Sequence, residues 1–221
     1  IGYRSMRIFI KRYGYEVSNT TMHKYMNKQL NLCAIIMHSK PGYKAGKKNK
    51  IFDNLLNQKF TVDCKNKVWC TDFTYMRQPN GKFRYNCSII DLYDRSAVAS
   101  LNSDCINTDL AINTLKTALK KEKHPKVILH SDQGVQFTSC EFVNFCKDNN
   151  ITQSMSKAGC PYDNAPVERF YNTFKSNFYN VTSFSNVEVM DELTTKYINW
   201  YNYVRPHSHN NYLTPMGARY K

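Results

Sequence analysis

Three acidic residues constrain this chain more than anything else in it: Asp72, Asp132 and Glu168. Asp72 sits in V-W-C-T-D-F-T-Y-M, an alternating segment that reads as a strand. Asp132 follows the apolar run V-I-L, within H-S-D-Q-G, where a buried strand should end and Gly134 should let the chain turn sharply. Glu168 comes just after Asn164, Ala165 and Pro166, a capping type followed by proline in the first turn of a helix. The helix dipole favours an anion there, so Glu168 is expected to stay ionised and available as a ligand. Between Asp132 and Glu168 lie 35 residues. Lys175, seven after Glu168, returns after two helical turns to nearly the same face.

The elements around these residues follow in order. Residues 1 to about 35 read as two short helices. Tyr3, Met6 and Ile10 share a face in the first, and Ser18 or Asn19 caps the second, with Met22, Tyr25, Met26 and Leu30 inward. Arg4, Arg7, Lys24 and Lys28 fall on outer faces, so the pair suggests a helix-turn-helix DNA reader; a plain helical hairpin has the same periodicity. From His38 to Lys50 the chain carries five lysines, Lys47 and Lys48 among them, with little to bury, and reads as a flexible basic linker. Strands are expected at 68–76, 82–90 and 97–101, with Pro79-Asn80-Gly81 as the first hairpin turn. A helix at 108–121, a strand at 126–130, a helix at 139–149 and a strand at 151–154 follow. The run from Met155 to Asp163, with Lys157 and Tyr162, has no periodicity and reads as an active-site loop that is mobile until DNA orders it. After the Glu168 helix, Ser185 and Glu188 suggest a capping box for a helix through Val204, facing inward with Val189, Leu193, Tyr197, Trp200 or Tyr201, and Val204. Thr214-Pro215 opens a last short helix. This order implies an α/β protein with a mixed sheet and helices on its faces.

Charge points to the partner. The net charge is +14, and residues 1 to 60 hold 12 Lys and Arg against 2 acidic residues. A basic front half is the footprint of a polyanion, most economically nucleic acid. Eight cysteines show no C-x-x-C pair, so neither structural zinc nor a disulfide framework is suggested, and reduced thiols in a cytosolic protein are expected. No signal peptide or membrane span is visible.

The words T-D-F-T-Y, H-S-D-Q-G, P-Y-D-N-A-P-V-E-R-F and R-P-H…L-T-P, together with the Asp-Asp-Glu spacing and Lys175, resemble the transposases of the third insertion-sequence family, specifically the product of the second reading frame. The resemblance runs from about residue 2 onward. It implies a ribonuclease-H-like integrase core with a retroviral-type DDE site: residues 1–37 a helix-turn-helix-like segment, 38–60 the linker, 61–183 the catalytic core, and 184–221 a helix and tail packed on it. It implies two Mg²⁺ ions, with Mn²⁺ as a substitute, held by Asp72, Asp132 and Glu168, and DNA cleavage followed by strand transfer. Carboxylates without His or Cys suit a small hard cation. DNA contacts are expected from Lys175, Lys157, Tyr162, Asn164, Arg4, Arg7, Lys24, Lys28, Lys47 and Lys48. Expected partners are the element's ends and target DNA, further copies of the chain, and an upstream-frame protein; the expected setting is the bacterial cytoplasm, at the nucleoid.

Each acid alone has a plain alternative: a solvent-face Asp72, a turn Asp132, a cap-region Glu168. Asp63, Asp91, Asp94 and Asp163 are rival carboxylates, Asp91 and Asp94 belonging to the turn after the second strand. His130 shares a strand side with Asp132. Arg205 and His207 belong to the R-P-H word, to which the sequence assigns no role. Two rival functions stay open, a nuclease of the same fold that cuts without joining and an inactive or truncated DNA-binding regulator.

Overall fold

A computed structural model describes residues 2–32 and 50–221. Lys47, Lys48 and most of the expected linker lie outside the described residues. Five strands form one mixed sheet: β1 (Val68–Arg77), β2 (Phe83–Asp91), β3 (Ala97–Ser103), β4 (Ile128–Ser131) and β5 (Thr152–Met155), in the order β3-β2-β1-β4-β5. β1 pairs antiparallel with β2 and parallel with β4. Central β1 is therefore buried on both faces, and its residues alternate between two cores. Cys70 and Met76 face one; Trp69 faces the other. Gln78 and Lys82 close the first hairpin, with Gly81 at φ +83, a left-handed value that glycine adopts without strain.

Helices α3 (Thr108–Lys121) and α5 (Cys140–Asp148), joined by the short α4 (Val135–Thr138), cover the Trp69 face. Asn107 caps α3 by accepting from the Leu110 amide, and Leu110, Ala111, Leu115, Ala118 and Leu119 are buried, the stripe its periodicity predicts. Helices α6 (Ala165–Asn177) and α7 (Val187–Tyr203) cover the Cys70 face.

Several expectations need correction. The cap of α7 is Asn186, which accepts from the Val189 amide, and not Ser185. Tyr197 and Tyr201 enter the core and Leu193 packs against it as expected, but Met190 rather than Val189 is buried, and Val204, at the helix end, is exposed. In the N-terminal pair, α1 (Tyr3–Arg12) and α2 (Asn19–His23), Ser18 is the cap. A π-helical turn over Lys24–Gln29 then widens the spiral. Met22 and Met26 stay buried, but Tyr25 and Leu30 swing outward because each π turn shifts the phase. Residues 50–60, expected as the linker's far end, instead pack on the core, with Leu56 buried and Phe52 and Phe60 half-buried against it.

The short α8 (Pro215–Arg219), capped by Thr214, completes the chain's packing through one residue. Arg219 is wholly buried. Its Nη1 donates to Asp91 at 2.9 Å and Asp94 at 2.5 Å, and its Nη2 to Glu122 and Asn66, both at 2.6 Å. The turn acids Asp91 and Asp94 are thus anchors for a distant arginine.

Candidate active site

The two aspartates owe their approach to strand pairing. In the parallel β1–β4 ladder Cys70 lies opposite His130. Two residues further on, Asp72 stands in the middle of β1 and Asp132 just past the end of β4, near enough for Asp132 to act electrostatically on Asp72. Gly134 secures the second of them. Its φ of −59 is one any residue adopts, so the expected conformational reason is wrong. What matters is space: its amide donates to Asp132 Oδ1 at 2.9 Å, and an added Cβ would meet that same oxygen at 2.9 Å.

The third acid arrives on α6. Glu168, Tyr171 and Lys175 share one face of this helix, and Val167, Phe170 and Phe174 bury another. The Tyr171 hydroxyl donates to the Asp72 carbonyl oxygen at 2.8 Å, holding that face over β1. Lys175 places its ammonium 4.6 Å from the Tyr75 ring centre, and burial lowers its pKa against the pull of Asp72.

Electrostatics tie the acids together. Burial, then the nearby Asp132 and Glu168, push the Asp72 carboxyl up to about 8. The Phe73 amide, donating to Asp72 Oδ1 at 2.7 Å, opposes this only in part. Glu168 is exposed on one flank, yet burial on the other raises its carboxyl above the usual range, so the helix dipole does not win there. Neither Asp72 nor Glu168 forms an ion pair with any described cation. Among the described residues, no three acidic, histidine or cysteine side chains stand close enough to hold a metal as they are. The donor set nonetheless fits a divalent cation: three carboxylates, no soft ligand, and a central Asp72 whose burial and acidic neighbours outweigh the pull of Lys175.

The remaining expected residues fall into two groups. Lys157 and Tyr162, the latter 75% exposed, lie on the loop before α6, and Arg4, Lys24 and Lys28 are exposed on the N-terminal helices. Arg7 is only half-buried, and its Nε lacks a partner. Asn164 is buried, with neither side-chain polar atom bonded, so it neither caps α6 nor reaches the surface. His130 is wholly buried, with Nδ1 2.9 Å from the Ser154 hydroxyl, and burial lowers its pKa. It packs under the site. Asp163 staples the loop before α6: its carboxylate accepts from the Lys157 amide, Asn54 and Gln58, which hold its pKa down. Sequence reasoning missed that staple and the Tyr171 tie, although Tyr171's spacing from Glu168 and Lys175 carried the signal.

A mixed five-stranded sheet with one acid within β1, a second just past the end of the adjacent β4 and a third on α6 defines a ribonuclease-H-like integrase core. Residues 62–161 match one family described as "Integrase core domain", and residues 149–215 match a second of the same description. Over 219 residues the chain is 32% identical to the putative transposase InsK for insertion sequence element IS150 of Escherichia coli, covering 99% of this chain and 77% of that protein. It is 35% identical over 167 residues to the E. coli transposase InsF for IS3A, covering 75% of this chain and 58% of that protein. The simian T-cell lymphotropic virus intasome, solved with PP2A regulatory subunit B56 gamma, superposes with a TM-score of 0.62 at 15% identity over 97% of this chain and 70% of that one. The HTLV-2 integrase catalytic core domain in complex with magnesium gives 0.53 at 17% identity over 71% of this chain and 97% of that one. The chain belongs to the transposases of the third insertion-sequence family, enzymes of the polynucleotidyl-transferase type. No helix among the described residues is long and apolar enough to cross a membrane.

Proposed function

We propose that the chain cuts DNA at the ends of an insertion element and joins the released 3′ ends to a target, using Asp72, Asp132 and Glu168 as its catalytic carboxylates. The observation that supports this reading is the convergence of Asp132, just past β4, and Glu168, on α6, on Asp72 in β1, whose carboxyl both push up, with Tyr171 tying α6 to Asp72. The three carboxylates would hold divalent magnesium, with manganese as a substitute. When bound, such ions supply charge to activate an attacking oxygen and to stabilise a leaving one. The magnesium in the HTLV-2 structure supports that choice.

The chain's own residues do the rest. Lys175, beside Asp72, suits a backbone phosphate next to the scissile bond, with exposed Lys157 and Tyr162 on the adjoining loop. In the joining step the 3′-hydroxyl oxygen forms a bond to the target phosphorus while that phosphorus loses its own 3′ oxygen. One phosphodiester replaces another: the attacking hydroxyl gives its proton to solvent, and the departing 3′ oxygen takes one from it to leave as a hydroxyl. The basic N-terminal helices, through Arg4, Arg7, Lys24 and Lys28, would hold element-end DNA. Assembly of several copies on DNA is the expected working state, supported by the intasome likeness.

The test uses oligonucleotides carrying candidate element ends, with Mg²⁺. Cleaved and joined products are expected from the intact protein, and neither from Asp132→Asn, which should bind DNA normally. Cleavage without joined product would favour a nuclease instead. Undiminished activity in Asp132→Asn would remove this residue from the mechanism.

A further inference from the structure

About a third of a turn around α6 from Glu168, a half-open cavity of about 260 Å³ lies between α6, α7 and β2. Its apolar walls include Ile90, Phe170 and Tyr201, and its polar groups include Arg95, Arg169 and His207. No carboxylate lines it.

Arg95 is the unusual member. It reaches the cavity from the Asp91–Ser96 turn, with a left-handed φ of +62 that a long side chain seldom adopts. Nη2 donates to the Phe60 carbonyl at 2.8 Å, but Nη1 is buried with no acceptor. The nearest acids, Asp91 and Asp94, are engaged by Arg219. Guanidinium does not shed its proton, so a buried N–H without a counter-charge costs free energy that a bound anion would relieve. His207 adds a donor. Its Nδ1 accepts from the His209 amide at 3.2 Å, and burial with Arg205 nearby keeps the ring neutral, with a pKa of about 3. The ring proton therefore sits on Nε2. Ala165 and Pro166, the first turn of α6, also line the cavity and add the positive end of a helix dipole.

We propose that this cavity binds a phosphate oxyanion, with Arg95 as the fixed donor and exposed Arg169 as the second cation. That the phosphate belongs to a DNA backbone passing the start of α6 rests on the function proposed above. It would be a second phosphate seat, on a different flank of α6 from Lys175, and it gives the His207 of R-P-H a binding role.

The full chain is heated in sodium phosphate and in sodium chloride of equal ionic strength, and DNA affinity is measured against salt. Saturable stabilisation by inorganic phosphate is expected. It should vanish in Arg95→Gln and weaken in Arg169→Ala, with the log–log salt slope of DNA binding falling by about one unit in Arg95→Gln. If Arg95→Gln fails to fold, Arg169→Ala, at an exposed position, decides both readouts. Stabilisation by phosphate with unchanged slopes keeps the anion site and overturns its assignment to DNA. Absence of saturable stabilisation overturns the site, whether or not the protein binds DNA.

Discussion

The hydroxyl of Tyr171 donates 2.8 Å to the backbone carbonyl of Asp72, so the helix bearing Glu168 is fastened to the strand bearing Asp72. Removing the hydroxyl while keeping the ring tests that fastening. Tyr171→Phe should lose about 1 kcal/mol of stability in urea unfolding. DNA affinity should hold while the cleavage rate falls, because the acids lose their mutual placement rather than their charge.

Asp72 makes the metal-free protein sensitive to alkali. Its folded pKa of about 8 lies above the ordinary 3.8, so between those values the folded state keeps a proton that the unfolded chain has lost. Stability from this group is therefore full below about pH 4 and declines as pH rises toward 8. Without divalent metal, Asp72→Asn should melt higher than the parent at pH 8, with the gap closing toward pH 4. Thermal melts across that range, in chelator, check it.

Gly134 should tolerate no side chain without cost to chemistry. A methyl group would press on Asp132 Oδ1 at 2.9 Å, and that carboxylate would have to move. Gly134→Ala is expected to cut cleavage by about a hundredfold, the usual scale for an ångström of misplacement. Far-UV dichroism should change little.

Arg219 forms ion pairs with Asp91, Asp94 and Glu122 in a region closed to water. Arg219→Ala should destabilise by about 3–5 kcal/mol, measured by denaturant unfolding, since it leaves buried like charges facing one another. Lowering the pH toward 4 should recover part of the loss by protonating Asp91, whose carboxyl burial raises.

Much of this architecture could be read from the chain, for identifiable reasons. Helix α3 kept the bounds its periodicity predicts because one cap, Asn107, and one apolar stripe agree. The strands of the first hairpin were legible from alternation and from Gly81. Failures came where a local signal had a competitor. Ser185 and Asn186 are both capping types, and only packing chose the second. Tyr25 and Leu30 fit an α-helical face, but the backbone took a π turn. At the site, the three acids stood out through their neighbours, whereas Asp163 and Arg219 act through contacts between distant segments that no spacing encodes, and the role of Gly134 is a close approach to Asp132 that only coordinates reveal.

The Arg219 cluster also bears on how such a chain comes into being. Asp91 and Arg219 are 128 positions apart. During synthesis the acidic turn leaves the ribosome long before its counter-ion is made, and by then all five strands of the sheet have been made. The Arg219 contact therefore locks a turn within a sheet already synthesised rather than helping to nucleate it.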